Sequence, residues 1–320
     1  MLFRSCRASK RVNGSKSSLT MLLPSTIIGT GAWGNALAGL VRSPVRVWSR
    51  KSALSLAEAV ADSELVISAV SMAGVNEVVD RLRNVLTPAQ IIVTTTKGLD
   101  LATNLTPAQI WAAAFPGNSI VVLSGPNLSA EIQQGLPAAT VVASSDQVAA
   151  KKVQAAFSSS QFRVYTNDDP LGVELGGTVK NVMAIAAGTC DGLSLGSNAK
   201  AGLLTRGLAE IVRIGTHWGA DPETFYGLSG LGDLLATCSS SLSRNYQVGY
   251  GLAAGRSLTE ILAQLEGTAE GVNTTKVLMQ ISRQNQIDLP ITTMVDRALQ
   301  GQITPAEALT ALMLRDNRPE

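Results

Sequence analysis

Histidine is almost missing from this chain of 320 residues, which has one, His217. A mechanism built on a histidine base has only this candidate. It lies in the run Thr216-His217-Trp218-Gly219, which reads as a helix C-terminus, where a basic ring caps or packs. Cysteine is scarce as well. Cys6, Cys190 and Cys238 lie far apart, form no C-x-x-C pair and cannot all pair with one another. That argues against a zinc site and a disulfide framework, and points to a reducing compartment, the cytoplasm. Charge of one sign is also lacking: 26 basic residues against 24 acidic leave a net charge of +2. A nucleic-acid binder would show a basic stripe, so no nucleic-acid partner is expected. Nor does any apolar run reach the roughly 18 residues of a membrane span, so no integral membrane segment is expected.

What is present is a globular composition, 45% hydrophobic, on a chain long for one core and comfortable for two domains. Residues 1–20 stand apart, with Arg4, Arg7, Lys10, Arg11 and Lys16, five serines and no acid. They read as a disordered basic tail or as a stretch upstream of a working start at Met21. An acidic-poor targeting peptide is the third reading. From Pro24 to about Thr166, short aliphatic runs alternate with amphipathic segments. Strands are predicted at Ser25–Ile28, Val45–Trp48, Leu65–Val70, Ile91–Thr95, Ile120–Leu123, Thr140–Ala143 and Arg163–Tyr165, with helices between. That alternation implies a mostly parallel sheet covered on both faces. After Asp168-Asp169-Pro170 the strand-like runs stop, and helical patterns continue to Leu314. The expected fold class is therefore α/β: a Rossmann-type domain over 21–169 and an all-α domain over 170–320.

Between the first strand and the first helix lies Gly29-Thr30-Gly31-Ala32-Trp33-Gly34, a G-x-G-x-x-G. Its first glycine makes the tight turn, its second lets the backbone approach a pyrophosphate, and its third allows close helix–sheet packing. Such a motif alone is weak evidence, but its placement here marks dinucleotide binding. An NAD-selective site would carry an acid about 20 residues on. Arg50 stands there instead, followed by Lys51, and a guanidinium suits a 2′-phosphate. The competing reading is a solvated basic turn. Ligands bind beyond the carboxyl ends of the strands, where Thr94-Thr95-Thr96-Lys97-Gly98-Leu99 and Leu123-Ser124-Gly125-Pro126-Asn127-Leu128 are placed.

In the helical half, Gly172, Gly176, Lys180, Ala184 and Gly188 share a face at helical spacing. Each glycine costs a helix about 1 kcal/mol against alanine, so something approaches closely. Two readings are open: a small anionic substrate against a bare surface, or tight helix packing with Lys180 at its rim. Asp233, in Gly230-Leu231-Gly232-Asp233-Leu234, pairs with a lysine or caps a helix. The polar run from Thr237 to Asn245 is expected to be a loop opening a helix, with Ser243, Arg244 and Asn245 as a phosphate cradle.

Together these segments resemble the bacterial-type NAD(P)-dependent glycerol-3-phosphate dehydrogenase family over about nine-tenths of the chain. The likeness is most specific at Lys97-Gly98-Leu99, Ser124-Gly125-Pro126, Gly172–Asn181, Asn198–Glu210, Gly227–Leu234, Ser243-Arg244-Asn245 and Glu270-Gly271. It implies reversible reduction of dihydroxyacetone phosphate to sn-glycerol 3-phosphate, feeding glycerophospholipid synthesis. By this resemblance Lys180 is the catalytic acid/base. Lys97, Gly125, Asn127, Lys180, Asp233, Ser243, Arg244 and Asn245 hold the substrate. Gly29, Gly31, Ala32, Trp33, Gly34, Arg50, Lys97, Ser129, Arg244, Thr268 and Glu270 line the cofactor, NAD(H) or NADP(H), with NADP(H) favoured. No metal is implied, and a homodimer is left open. The chain departs from the family's pattern in a short segment between Arg50 and Leu65, in Val70-Ser71-Met72, and in Asn127-Leu128-Ser129. The rival readings are a β-hydroxyacid dehydrogenase, whose carboxylate substrate would need a different clamp, and an NADPH-sensing regulator without chemistry.

Overall fold

A computed structural model describes residues 23–316. The basic segment 1–20 and Cys6 lie outside them. The strands are β1 (Ser25–Ile28), β2 (Val45–Trp48), β3 (Leu65–Ser68), β4 (Ile91–Thr94), β5 (Ile120–Ser124), β6 (Ala138–Ala143) and β7 (Phe162–Asn167). Between them run α1 (Ala32–Leu40), α2 (Leu56–Val60), α3 (Met72–Leu82), α4 (Pro107–Ala114), α5 (Ser129–Gln133) and α6 (Gln147–Phe157). The rest is helical: α7 (Pro170–Gly192), α8 (Gly196–His217), α9 (Asp233–Cys238), α10 (Arg244–Ala253), α11 (Leu258–Gln264), α12 (Glu270–Asn285), α13 (Pro290–Leu299) and α14 (Pro305–Met313). A 3₁₀ turn, Pro222–Tyr226, and a π turn, Leu228–Gly232, lead into α9.

The sheet has the order β2-β1-β3-β4-β5-β6-β7. β1, β3 and β4 are buried along their whole length, which is why they read as unbroken aliphatic runs. One face packs Ile27, Ile67, Val93 and Leu123 against Leu37 of α1 and Phe157 of α6. The other packs Ile28, Val66 and Ile92 against Val75, Val79 and Leu82 of α3 and Trp111 of α4. The pairing of β5 with β6 is antiparallel; an aliphatic run states burial but not direction. Further differences from expectation are small. α3 begins at Met72, one turn ahead of its first core valine, and the short α5 was not anticipated.

Helix starts follow local chemistry. Thr106 and Gln109 form a capping box with Pro107 in the first turn of α4, and Asp169 caps α7 ahead of Pro170. α7 is the axis of the helical domain. Its Val179, Val182, Met183 and Ile185 sit in a core shared with Ile211, Ile214, Phe225, Val248 and Leu278. The α7 glycines answer the open question above largely in favour of packing. A Cβ on Gly176 would lie 2.9 Å from the Ser229 carbonyl oxygen, and one on Gly188 would lie 2.0 Å from that of Tyr246. Reciprocally, a Cβ on Gly249 of α10 would lie 1.8 Å from the Ile185 oxygen. Only Gly177 faces polar side chains of the cleft, Ser124, Lys97 and Asp233. No described helix is long and apolar enough to cross a membrane.

Candidate active site

The turn after β1 is shaped as its glycines require. Gly29 has φ +123°, and a Cβ there would lie 2.5 Å from the Ala69 carbonyl oxygen; one on Gly34 would lie 2.1 Å from the Gly29 oxygen. Nothing stands within 4 Å of a Cβ on Gly31, so that glycine opens on free space. α1 starts immediately after it, with no side-chain cap and no acid in its first turn. An uncapped helix start with open approach fits the pyrophosphate of a dinucleotide. Ala32 is exposed and its carbonyl accepts from Gln133 of α5, while Trp33 is half-buried against the sheet core. Ser129 opens α5, half-buried.

Beyond the edge strand β2, Arg50 is exposed and pairs with Glu77 of α3 at 3.6 Å. Arg81 pairs with the same carboxylate and lies over the Trp48 ring, 5.5 Å from its centroid. Two guanidiniums thus share one carboxylate beyond the end of β2.

Across the crevice, the helical domain contributes Glu270 at the start of α12. Its Oε1 accepts the Met72 N–H at 3.1 Å. Burial raises its pKa, and the Met72 amide and Arg244 only partly offset this. Thr268 is exposed two residues earlier.

The polar centre lies where α7 meets the loop after β4. Lys180, 6% exposed, places its Nζ 3.0 Å from Asp233 Oδ1 and 2.5 Å from Thr237 Oγ1. Lys97 donates to the other Asp233 oxygen and, at 3.3 Å, to the Gly125 carbonyl. Thr237 in turn donates to Asp233 Oδ1 at 3.0 Å. Asp233 therefore does not cap α9; it bridges two ammonium groups. Burial lowers the Lys180 pKa, Asp233 pulls it back up and Lys97 lowers it again, leaving it at about 8 instead of 10.5. Burial would raise the Asp233 pKa, but the charges and hydrogen bonds of Lys180 and Lys97 outweigh it and hold the group below its ordinary value. Two ammoniums against one carboxylate leave the pocket a surplus positive charge.

Beside this centre, α10 begins. Ser243 accepts the Tyr246 amide as its cap, which leaves the hydroxyl proton to donate outward. Arg244 is exposed at the first position, its guanidinium lying along the Gly267 backbone. Asn245 Oδ1 accepts the Gly271 N–H at 2.9 Å, which commits its oxygen and frees its amide hydrogens. A Cβ on Gly271 would lie 2.7 Å from the Asn181 carbonyl oxygen and 2.8 Å from Asn245 Oδ1. The starts of α10 and α12 thus meet α7 next to Lys180. Gly125, at φ +155°, presses on the Thr140 backbone, where a Cβ would come within 3.0 Å of its Cα. Asn127 donates to Thr140 Oγ1 at 2.9 Å, and its Oδ1 is buried without a partner.

Lys97, Gly125, Lys180 and Asp233 accordingly form one hydrogen-bonded group, with Asn245 reaching the backbone beside it, whereas Arg50 stands apart, exposed and paired with Glu77. Thr237 escaped the sequence reading, which placed it in a polar loop. It belongs instead to α9, buried, and its spacing of four from Asp233 was the available signal. Among the described residues no cluster of three or more His, Cys, Asp or Glu side chains could hold a metal ion.

A dinucleotide crevice opening on two lysines that share one buried carboxylate is the equipment of a nicotinamide-dependent oxidoreductase. The chain belongs to the NAD-dependent glycerol-3-phosphate dehydrogenase family, whose N-terminal model matches residues 51–150 and whose C-terminal model matches 169–310. It is 62% identical over 92% of its length to glycerol-3-phosphate dehydrogenase [NAD(P)+] of Trichormus variabilis, covering 97% of that protein. To the protein of the same name from Synechocystis sp. it is 60% identical, over 92% of this chain and 94% of the other. Among solved structures, glycerol-3-phosphate dehydrogenase from Coxiella burnetii superposes with a TM-score of 0.88 at 32% identity, over 92% of this chain and 99% of that one.

Proposed function

We propose that the protein catalyses the reversible NAD(P)H-dependent reduction of dihydroxyacetone phosphate to sn-glycerol 3-phosphate, supplying glycerophospholipid synthesis. The observation that carries this reading is the buried Lys180–Asp233 pair, joined by the half-buried Lys97, beside the start of α10. A bound nicotinamide supplies the hydride for the carbonyl carbon. Lys180 gives its proton to the oxygen of that carbonyl, and its charge stabilises the alkoxide as it forms. A pKa of about 8 lets it hold the proton at neutrality and release it readily. Asp233 and Thr237 aim the ammonium. Lys97, anchored on the Gly125 carbonyl, adds the second positive charge. Arg244, Asn245 and Ser243 at the helix start grip the phosphate.

Gly29, Gly31, Ala32, Trp33 and Gly34 hold the pyrophosphate, with Ser129, Thr268 and Glu270 closing on the cofactor. Arg50 reads the 2′-phosphate and favours NADP(H). The buried free thiols Cys190 and Cys238 suit a reducing compartment, the cytoplasm. The test is NADPH absorbance with dihydroxyacetone phosphate, then with a β-keto acid, each repeated with NADH. Turnover with the phosphorylated ketone alone is expected; turnover with the keto acid in preference would overturn the assignment.

A further inference from the structure

Lys97 does not sit on a regular element. It lies in the loop that leaves β4 and ends at α4, and this loop belongs to the sheet domain, whereas Lys180 belongs to α7. Two lysines on different domains must nevertheless meet one carboxylate. The loop and the start of α4 are tied to the helical domain at three points. Thr178 Oγ1 accepts the Gly98 N–H at 3.1 Å, directly after Lys97. Leu99, 1% exposed, leaves its own domain and packs in the core of the helical one. Glu174 Oε1 accepts the Ala108 N–H at 2.8 Å, in the first turn of α4, where the loop ends.

Glu174 and Thr178 are four residues apart, one above the other on a single face of α7. Both are buried, at 2% and 0% exposure. Glu174 meets no opposite charge, and its Oε2 has no partner at all. A buried carboxyl so poorly matched costs stability that an apolar side chain of similar volume would not. Its contribution is what it holds in place.

We infer that Thr178 and Glu174 are positioning residues for Lys97, clamping both ends of its loop to the helix that carries Lys180, so that the two ammoniums keep a fixed spacing about Asp233. The inference rests on the reading of Lys97 as a substrate-binding group.

The experiment compares Thr178→Val, Thr178→Ser, Lys97→Ala and the double variant Thr178→Val/Lys97→Ala. The readouts are kcat and KM for dihydroxyacetone phosphate, the Kd for NADPH from fluorescence, and a thermal melt. Thr178→Val is expected to lower kcat/KM about three- to tenfold, the scale of one lost hydrogen bond, with the NADPH Kd unchanged. Thr178→Ser restores the hydroxyl and should recover the activity. On the Lys97→Ala background the valine should cost less than about twofold, since residues acting through one another are non-additive. Wild-type kinetics in a folded Thr178→Val, an equal loss in Thr178→Ser, or the full cost persisting without Lys97 would each overturn the clamp. Wild-type kinetics in Lys97→Ala would instead remove Lys97 from the site, and the clamp with it. Should Thr178→Val not fold, Glu174→Leu applies the same comparison at the other end of the loop.

Discussion

Replacing Asp233 by Asn should move the pH at which the enzyme loses its proton donor, and the structure says in which direction. Asp233 Oδ1 lies 3.0 Å from the Lys180 ammonium, and its charge is what raises the lysine pKa against burial. Asparagine keeps the shape and one acceptor oxygen but not the charge. A charge-assisted hydrogen bond contributes roughly 1.5–3 kcal/mol, equivalent to about 1–2 pH units. A Coulomb estimate at this separation with an effective dielectric of 20 gives about 5–6 kcal/mol as a ceiling. The substitution also leaves Lys97 and Lys180 with no carboxylate between them, which lowers the Lys180 pKa further. In the wild type, kcat/KM for ketone reduction should fall as pH rises through about 8, because that ratio reports the free enzyme. In Asp233→Asn the falling limb should lie about 1–2 units lower, and the rising limb of alcohol oxidation should move with it. Profiles of both directions at saturating cofactor, on protein whose melting curve shows it folded, provide the comparison. A limb that stays in place, or moves to higher pH, refutes the assignment of the acid to Lys180 and of the tuning charge to Asp233.

Lys180→Ala should fold and bind NADPH but lose roughly 10²–10⁴-fold in kcat; retention of a tenth of the wild-type rate contradicts the acid/base role. Arg244→Leu should raise the KM for dihydroxyacetone phosphate by roughly ten- to a hundredfold, while a non-phosphorylated analogue is affected little; equal losses would move Arg244 out of the phosphate site. Arg50→Ala should lower kcat/KM for NADPH and spare NADH. The effect should be modest and eroded by salt, because the guanidinium is exposed and already shared with Glu77. Glu174→Gln should change how stability varies with pH. Burial raises this carboxyl from 4.5 to about 7, so the fold holds a proton that the unfolded chain releases between those values. That contribution is full below 4.5 and lost as pH rises through about 7, on the order of 3 kcal/mol across the window. Urea melts of variant and wild type should therefore diverge toward alkaline pH in favour of glutamine. Parallel curves would show that the carboxyl is not buried as described.

Much of this was legible from the chain. The aliphatic runs mark the strands because the sheet is covered on both faces, and the outer two fingerprint glycines, Gly29 and Gly34, sit where the backbone crowds itself. The polar run before Asn245 did open a helix, capped by Ser243. Other features depend on tertiary partners. The antiparallel turn of β6 leaves no trace in a strand whose residues are simply buried. Thr237 was hidden by the serines that follow it, although α9 carries it inward at a spacing of four from Asp233. The glycines of α7 announced a close approach but not of what; the answer, mostly the backbones of α10 and the π turn, lies far along the chain. Leu99 stood out only as part of the Lys97-Gly98-Leu99 turn, and nothing local says that it packs in the neighbouring domain.

The contact of Gly188 with α10 has a consequence for the size of the substrate. Backbone rests on backbone there, so the distance from α7 to α10 is set by atoms that are not present. Lys180 is carried by one helix and Arg244 by the other. A methyl at residue 188 or 249 would push the two apart and, with Lys180 at the carbonyl and Arg244 at the phosphate as proposed, lengthen the span between them. On that assignment, the gauge for a three-carbon phosphate is held by two glycines that pack backbone on backbone. A screen for variants accepting longer phosphorylated ketones should look first at that helix crossing, not at the residues around the ligand.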